Sequence, residues 1–302
     1  MSGMGSTVGT GGTGNAVGAG GTGTGDGHDG SHGRDRRDTG ARQGRFARKV
    51  ALVTGAGSGI GAAVARRLAA EGAEAVVLAD VDGSAAAMVA AAVPGGHPAT
   101  VDVADPRQVD AAVDRAVRAH GRLDVVVHAA GVDDPEVKRW LADALTAGRP
   151  PEVVTRLDDA AWERVVRINL GGTFHVLRAA LRTMVPRRSG AVVTIGSSAA
   201  FDTLTGYPHY AAAKAGAHAL SQSAAKEAIA FGVRVNTVAP GPTDTAMAAR
   251  GPAVVRDSLT DPRVRPYATP EEIAAVALFL ASDEAANLVG AVLLANGGRF
   301  TV

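Results

Sequence analysis

From Lys49 onward, short apolar runs alternate with amphipathic stretches. Val50–Thr54 (VALVT) is an apolar run ending in a glycine turn, and AAVARRLAAEG after it reads as an amphipathic helix closed by Gly72. Ala75–Asp80 (AVVLAD) repeats the strand signal and Ser84–Val93 the helix signal. Ala99–Val103 is the third expected strand, and Asp105-Pro106 reads as an N-cap with proline at the first helical position. Asp124–Ala130 is a fourth strand, followed by a helix over Ala160–Met184, a strand at Ala191–Ile195, a helix over Tyr210–Ala230 and a strand at Val233–Val238. Thr269-Pro270-Glu271-Glu272 combines a capping box with an early proline and opens a helix through Leu280, before a last strand at Val289–Leu294. Near-continuous apolar strands alternating with helices predict a parallel sheet covered on both faces. The expected fold is α/β, a doubly wound parallel seven-stranded sheet of Rossmann type in one domain.

Composition changes this picture only at the N-terminus. Residues 1–45 are Gly, Thr, Ser and Asp with almost no large apolar side chain, so ordering them would cost more entropy than burial returns. They are expected to be a disordered tail preceding a domain at 46–302. The tail has no apolar stretch of the kind a signal peptide needs. Its DGHDGSHGRD run is read as solvated, with weak metal binding the competing reading; no metal site is expected. Of 302 residues, 46% are hydrophobic and 20% charged, with a net charge of +1, which gives no electrostatic case for nucleic acid or a membrane surface. No long uninterrupted apolar segment predicts a membrane span. Cysteine is absent, which removes disulfides, thiolate catalysis and zinc–sulfur sites and fits a reducing cytoplasm.

Candidate chemistry begins at the first turn. Thr54-Gly55-Ala56-Gly57-Ser58-Gly59-Ile60-Gly61 lies between the first strand and first helix. Glycines there permit a tight turn and let the backbone approach a pyrophosphate drawn to the helix N-terminus. In a chain with 39 glycines the string alone says little, but its strand-turn-helix setting is the one the motif requires. Asp80 closes the second strand 19 residues after Gly61, about where a carboxylate accepts the ribose hydroxyls of NAD. A 2′-phosphate would meet a like charge there, so NAD is expected over NADP.

Tyr210 and Lys214 lie four apart at the opening of a helix, on one face. A free tyrosine has a pKa near 10, too high for a base at neutral pH. A neighbouring ammonium favours the phenolate, so Tyr210 becomes able to take a proton from an alcohol as hydride leaves, or to do the reverse. The other tyrosines, Tyr207 and Tyr267, have no lysine four residues on.

The Thr54–Gly61 turn together with Tyr210-x-x-x-Lys214 resembles the short-chain dehydrogenase/reductase family, single-domain branch, from about Lys49 to the C-terminus. That resemblance implies Ser197 as the catalytic serine, 13 residues before Tyr210, with Ser198 its rival by one position. It also implies Asn169 as a helix-interrupting asparagine in a water-borne proton relay, and Lys214 as a holder of the nicotinamide ribose. Asp102 and Val103 match the adenine-contacting pair. Pro240, Gly241, Thr243 and Thr245 match the segment beside the carboxamide. A homo-oligomer, dimer or tetramer, paired through Ala160–Met184 and Tyr210–Ala230, is implied on the same ground.

Departures from the family pattern are also visible. His128-Ala129-Ala130-Gly131 stands where relatives have Asn-Asn-Ala-Gly, with Ala130 and Gly131 at the cofactor edge. His128 is read as a hydrogen-bonded core residue, against a ligand or base. The last strand ends in Asn296-Gly297-Gly298 where an aspartate is common. Between Gly131 and Trp162 lie 30 residues, roughly twice the usual length. The extra stretch, near 134–156, contains VKRWLADAL, a short helix carrying Lys138, Arg139 and Trp140; it is a pocket lip or an oligomer contact. Thr243–Pro266 is a lid over the site or a plain surface connection. Tyr207 and His209 line the pocket or serve packing. The leading reading is NAD-dependent interconversion of a secondary alcohol and a ketone. The alternatives are an NADPH-dependent ketoreductase of fatty-acid, polyketide or steroid type, and a non-catalytic dinucleotide-binding regulator.

Overall fold

The computed structural model describes residues 44–203, 205–258, 264–265 and 267–302. The expected tail therefore lies outside the described residues up to position 43. Its last residue is anchored: the Arg45 guanidinium donates to both Glu71 carboxylate oxygens at 2.7 and 2.8 Å.

Among the described residues, seven parallel strands form one sheet in the order β3-β2-β1-β4-β5-β6-β7. They are β1 Val50–Thr54, β2 Ala75–Asp80, β3 Gly96–Thr100, β4 Val125–His128, β5 Gly190–Ile195, β6 Val233–Pro240 and β7 Val292–Ala295. The helices between them are α1 Gly59–Ala70, α2 Gly83–Ala91, α3 Pro106–His120, α4 Pro135–Thr146, α5 Val153–Arg156, α6 Asp159–Val166 and α7 Gly172–Arg187. After β5 come α8 Pro208–Ala228, α9 Ala246–Ala249, α10 Ala253–Ser258 and α11 Pro270–Ala281. No helix among the described residues is long and apolar enough to cross a membrane.

The period-two geometry of a strand explains why both faces are apolar. Ala51 and Val53 of β1 join Val64, Leu68, Ile273 and Leu278 from α1 and α11 on one side. Val50 and Leu52 meet the other layer, with Val109 and Val113 of α3, Leu177 and Met184 of α7 and Ala225 of α8. Local signals end the helices where the sequence places them. Asp105 caps α3 through Arg107 N at 2.9 Å, Gly121 ends it in the left-handed region, and Thr269 with Glu272 forms the reciprocal capping box of α11.

Three expected elements differ. The third strand lies three residues earlier, at Gly96–Thr100 rather than Ala99–Val103. Val101 and Val103 are buried as their apolarity demanded, but from the connection leaving the sheet, where Asp102 accepts from Ala104 N at 2.9 Å. Pro98 fits within β3 because this is an edge strand. The helix expected over Ala160–Met184 is interrupted by a π-helical turn at Arg167–Gly171. The last strand begins at Val292 rather than Val289, because the Asn236 side chain takes Ala291 N at 2.9 Å and Leu288 O at 2.8 Å in place of ladder partners.

The chain winds from β1 outward to β3, then returns to β4 and winds the other way. The crevice at this reversal, outside the C-terminal strand ends, is where such sheets bind ligands.

Candidate active site

A cleft of about 560 Å³ opens at that reversal. It runs from Asp80 and Asp102 past the glycine turn to Tyr210, and on to Tyr207, Met247 and Arg250. The turn is shaped by backbone contacts that exclude side chains. Gly55 has φ +66°, and a Cβ there would lie 2.7 Å from Ala130 N; at Gly61 a Cβ would lie 2.1 Å from the Gly55 carbonyl oxygen. Asp80 braces the turn from outside, accepting from Gly57 N at 2.8 Å and from Asp82 N at 3.0 Å. Helix α1 starts with no side-chain cap and no acid in its first turn. Its leading N–H groups, at Gly59, Ile60 and Gly61, line the cleft with Ser58 and have the polarity to receive a diphosphate. These residues fit a dinucleotide.

Asp102, Val103, Ala130, Gly131, Pro240, Gly241, Thr243 and Thr245 also line the cleft. Thr243 donates to Gly241 O at 3.0 Å, and Thr245 caps α9, accepting from Ala248 N at 3.3 Å. Asn296, in place of the usual aspartate, uses both halves of its amide: Oδ1 accepts from Gly298 N at 3.0 Å and Nδ2 donates to Phe300 O at 2.9 Å. An ionised carboxylate lacks that donor.

Asn169 sits in the π-turn, a geometry that recurs at functional sites. Its Oδ1 accepts from Val132 N at 3.1 Å, while Nδ2 donates to Val132 O at 2.9 Å and Val165 O at 3.1 Å. It thereby fastens the segment after β4 to the helix across the cleft. Lys214 Nζ donates to Ile195 O at 2.9 Å and stands 5.8 Å from the centre of the Tyr210 ring. Asn169 Oδ1 and Lys214 Nζ converge over Gly131, where a Cβ would be 2.7 Å from the first and 3.4 Å from the second. Ser197 Oγ accepts from Ala199 N at 3.1 Å, which leaves its own proton for the Tyr210 phenol oxygen beside it. Asn169, Ser197, Tyr210 and Lys214, more than forty positions apart at the extremes, thus share one wall.

Burial dominates the electrostatics. Lys214 is pushed down to about 8 because its ammonium is withdrawn from water. The Tyr210 phenol is raised by burial and by the charge of Asp133, against the lowering from Ser197. In the protein alone the lysine therefore does not produce the depressed phenol that the Tyr-Lys spacing suggests. Tyr207 also lines the cleft, and burial and Asp133 push it to about 12. His209 does not line it: fully buried, its Nε2 faces the Asp134 carboxylate at 3.6 Å.

Two other histidines belong to the framework. His128 is 2% exposed, bonded through Nδ1 to Thr54 Oγ1 at 2.8 Å, and held neutral down to about 3 by burial and by Lys214. Thr54 Oγ1 also accepts from Ala130 N at 3.3 Å, so the His-Ala-Ala-Gly sequence keeps a bonded edge without the asparagines. His218, which no sequence motif singled out, accepts the Ser197 N–H through Nε2 at 3.2 Å. Gly196 has no room for a side chain because a Cβ would lie 2.0 Å from that nitrogen. A signal for His218 was available: Tyr210, Lys214 and His218 recur at four-residue intervals on one helix face. Burial and Lys214 hold His218 down to about 4.

Both histidines tie stability to pH. Their folded values lie below the unfolded value of 6.5, so the unfolded chain takes up the protons first as pH falls. Their contribution is intact above pH 6.5 and is lost progressively toward pH 4 and below. Urea melts at pH 7.5 and pH 5.0 are expected to differ by about 2 kcal/mol for each histidine. His218→Gln should reduce the difference by about half.

The insertion forms a lip of the cleft. Lys138 on α4 is buried, paired with Asp133, and donates to Met247 O at 2.8 Å, joining the insertion to α9. Asp134 caps α4 through Glu136 N at 2.9 Å and pairs with Arg164 of α6 at 3.2 Å. Trp140 stacks under Arg156 of α5 at 4.5 Å. The segment expected as a lid contains α9 and α10 and lines the cleft through Ala246–Ala248, Arg250, Val255 and Arg256; its positions 259–263 and 266 lie outside the described residues.

A glycine-cradled crevice at the strand reversal, with a buried tyrosine, lysine, serine and asparagine on its wall, defines a dinucleotide-dependent oxidoreductase. The sequence profile described as short chain dehydrogenase matches residues 49–253, and the chain belongs to that family. It is 42% identical over 261 residues to the cis-4-hydroxycyclohexanecarboxylate dehydrogenase of Sinomonas cyclohexanicum, covering 85% of this chain and 98% of that one. It is 34% identical to a 3-oxoacyl-acyl-carrier-protein reductase of Thermotoga maritima, covering 84% and 98%. A solved structure described as a ribose-5-phosphate isomerase from Brucella melitensis superposes with a TM-score of 0.71 at 35% identity, covering 84% of this chain and 92% of that one. One fold thus carries differently described activities, so specificity must be argued from the site. The coarse activity is that of the family: oxidation of a CH–OH group or reduction of its carbonyl counterpart.

Proposed function

We propose that this chain is an NAD-dependent dehydrogenase that interconverts a secondary alcohol and a ketone, with Tyr210 as the general acid/base. The observation that carries the reading is the meeting of the Tyr210 phenol, the Ser197 hydroxyl and the Lys214 ammonium in one cleft beside the glycine turn. When bound, NAD supplies the hydride acceptor and a positive charge. Tyr210 takes the hydroxyl proton of the alcohol, or returns it to the oxygen of the ketone. Ser197 donates to the same oxygen and stabilises charge that develops there. Lys214 orients the nicotinamide ribose and favours the phenolate once that positive charge lies nearby. Asn169 holds the turn at Val132 in register and continues the proton relay toward Lys214.

The glycine turn, Asp80, Asp102, Val103, Ala130, Gly131, Pro240, Gly241, Thr243 and Thr245 form the cofactor half of the site. Asp80 supports NAD over NADP, because its carboxylate lines the cleft at the end of β2. Two copies pair through α7 and α8 in this reading.

The test is a panel of secondary alcohols with NAD or NADP, read at the absorbance of the reduced nicotinamide. Turnover with NAD is expected at least tenfold faster than with NADP. Turnover with NADP alone would favour the ketoreductase reading; binding of either dinucleotide with no turnover on any alcohol or ketone would favour a regulator.

A further inference from the structure

The substrate end of the cleft has an unbalanced charge. Lys138, Arg250 and Arg256 line it against one carboxylate, Asp133. Lys138 and Asp133 are both buried and pair with each other, so they cancel locally. Such a pair is costly to desolvate and does little for stability unless it positions something. Here its free carboxylate oxygen faces Arg250, with Arg250 Nη2 at 3.9 Å from Asp133 Oδ1. That separation is beyond a hydrogen bond. Arg250 therefore lines the cleft with no hydrogen-bond acceptor among the described residues, and its side chain is 59% exposed. Arg256, which also lines the cleft, is held over the Tyr267 ring at 5.7 Å. Met247, Ala248, Val255 and Tyr207 also line the cleft, and Tyr210 packs with Tyr207 and Val255.

We infer that the substrate is a compact hydroxy acid, whose carbinol lies at Tyr210 and whose carboxylate is received by Arg250. This rests on the dehydrogenase reading above and deepens it by naming the substrate class. The guanidinium fork matches a carboxylate in two parallel hydrogen bonds, which a lysine could not offer. The apolar wall suits an alicyclic or short aliphatic body between the two polar ends. Asp133 and Lys138 set the limits of the anion's position: the carboxylate repels it from the inner wall, and Lys138 holds that carboxylate through its other oxygen. Tyr210, Asp133 and Arg250 line the same cleft, so the reacting and anchoring ends share one enclosure. Cis-4-hydroxycyclohexanecarboxylate, named in the relative from Sinomonas, has this form.

The experiment uses the full chain, 4-hydroxycyclohexanecarboxylate, its methyl ester, and cyclohexanecarboxylate as a non-reacting probe. The wild-type chain should show a KM for the acid at least tenfold below that for the ester. Arg250→Gln should raise the KM of the acid about 30-fold, while the KM of the ester and both kcat values change less than threefold. Calorimetric titration of cyclohexanecarboxylate into the chain with NADH should show binding that Arg250→Gln abolishes, with NADH affinity unchanged. Equal KM values for acid and ester, an equal Arg250→Gln effect on both, or preference for a neutral polyol hydrogen-bonding Asp133 would overturn the inference. If no alcohol turns over but the probe binds through Arg250, the dehydrogenase reading fails and the anion site stands. If alcohols turn over but no binding depends on Arg250, the anion site fails and the dehydrogenase reading stands.

Discussion

Tyr210→Phe is expected to lower kcat for alcohol oxidation about a thousandfold while leaving the Kd for NADH within threefold. The substitution removes the one oxygen that exchanges a proton with the substrate in the proposed mechanism, and positioned acid–base groups contribute about 10² to 10⁴ in rate. The ring itself remains to pack among Leu141, Tyr207 and Val255, so the fold should survive. Lys214 keeps its bond to Ile195 O, and the glycine turn between β1 and α1 is untouched. Stopped-flow hydride transfer and fluorescence titration with NADH separate the two effects. Unchanged turnover would remove Tyr210 from the mechanism; loss of NADH binding in parallel would make it a cofactor contact first.

The second large effect concerns Asp80. Asp80→Asn should move the ratio of NADP to NAD affinity about a hundredfold toward NADP. Two like charges about 4 Å apart near a protein surface repel by up to about 4 kcal/mol, and partial exposure leaves about two thirds of that. Asparagine is the informative replacement because Asp80 also braces the turn, through Gly57 N and Asp82 N. The amide oxygen preserves one of those bonds, whereas alanine would lose both and loosen the turn for either cofactor. Affinity for both dinucleotides should fall somewhat, which makes their ratio the proper readout. A ratio that moves less than threefold would mean that the carboxylate only supports the turn.

The burial of the site was less legible than its membership. Four-residue spacing correctly put Tyr210 and Lys214 on one face, and the structure adds His218 to that line, beneath Ser197. Spacing says nothing about desolvation, however. A lysine four residues away suggests a lowered phenol, but both groups are enclosed, so each is pushed toward its neutral form. The anionic character of Asp133 acts in the same direction on the phenol. The charge that offsets burial must come with the cofactor in the proposed mechanism.

The insertion was visible as extra length, and its helix as a periodic pattern, yet either of two roles fitted the sequence. What brings it to the cleft is a contact across 109 positions, from Lys138 Nζ to Met247 O. His209 shows the reverse. Adjacent to Tyr210 in sequence, it points away from the cleft because neighbours on a helix project about 100° apart.

The sequence alone determined the alternation of strands and helices, the two layers of core and the glycine cradle, because each follows from local periodicity or from backbone conformations that short motifs specify. It also nominated the Tyr-Lys pair, since that chemistry needs only one helical turn. Tertiary structure alone decided that Val101 and Val103 are buried outside the third strand, and that the helix interruption implied at Asn169 takes the form of a π-turn from which its side chain reaches Val132. It alone decided that Lys138 and Asp133 pair while Arg250 lines the cleft 3.9 Å from the other carboxylate oxygen, with no hydrogen-bond acceptor among the described residues. These outcomes depend on which distant groups compete for the same hydrogen bond or the same volume, and that competition exists only after the sheet has assembled.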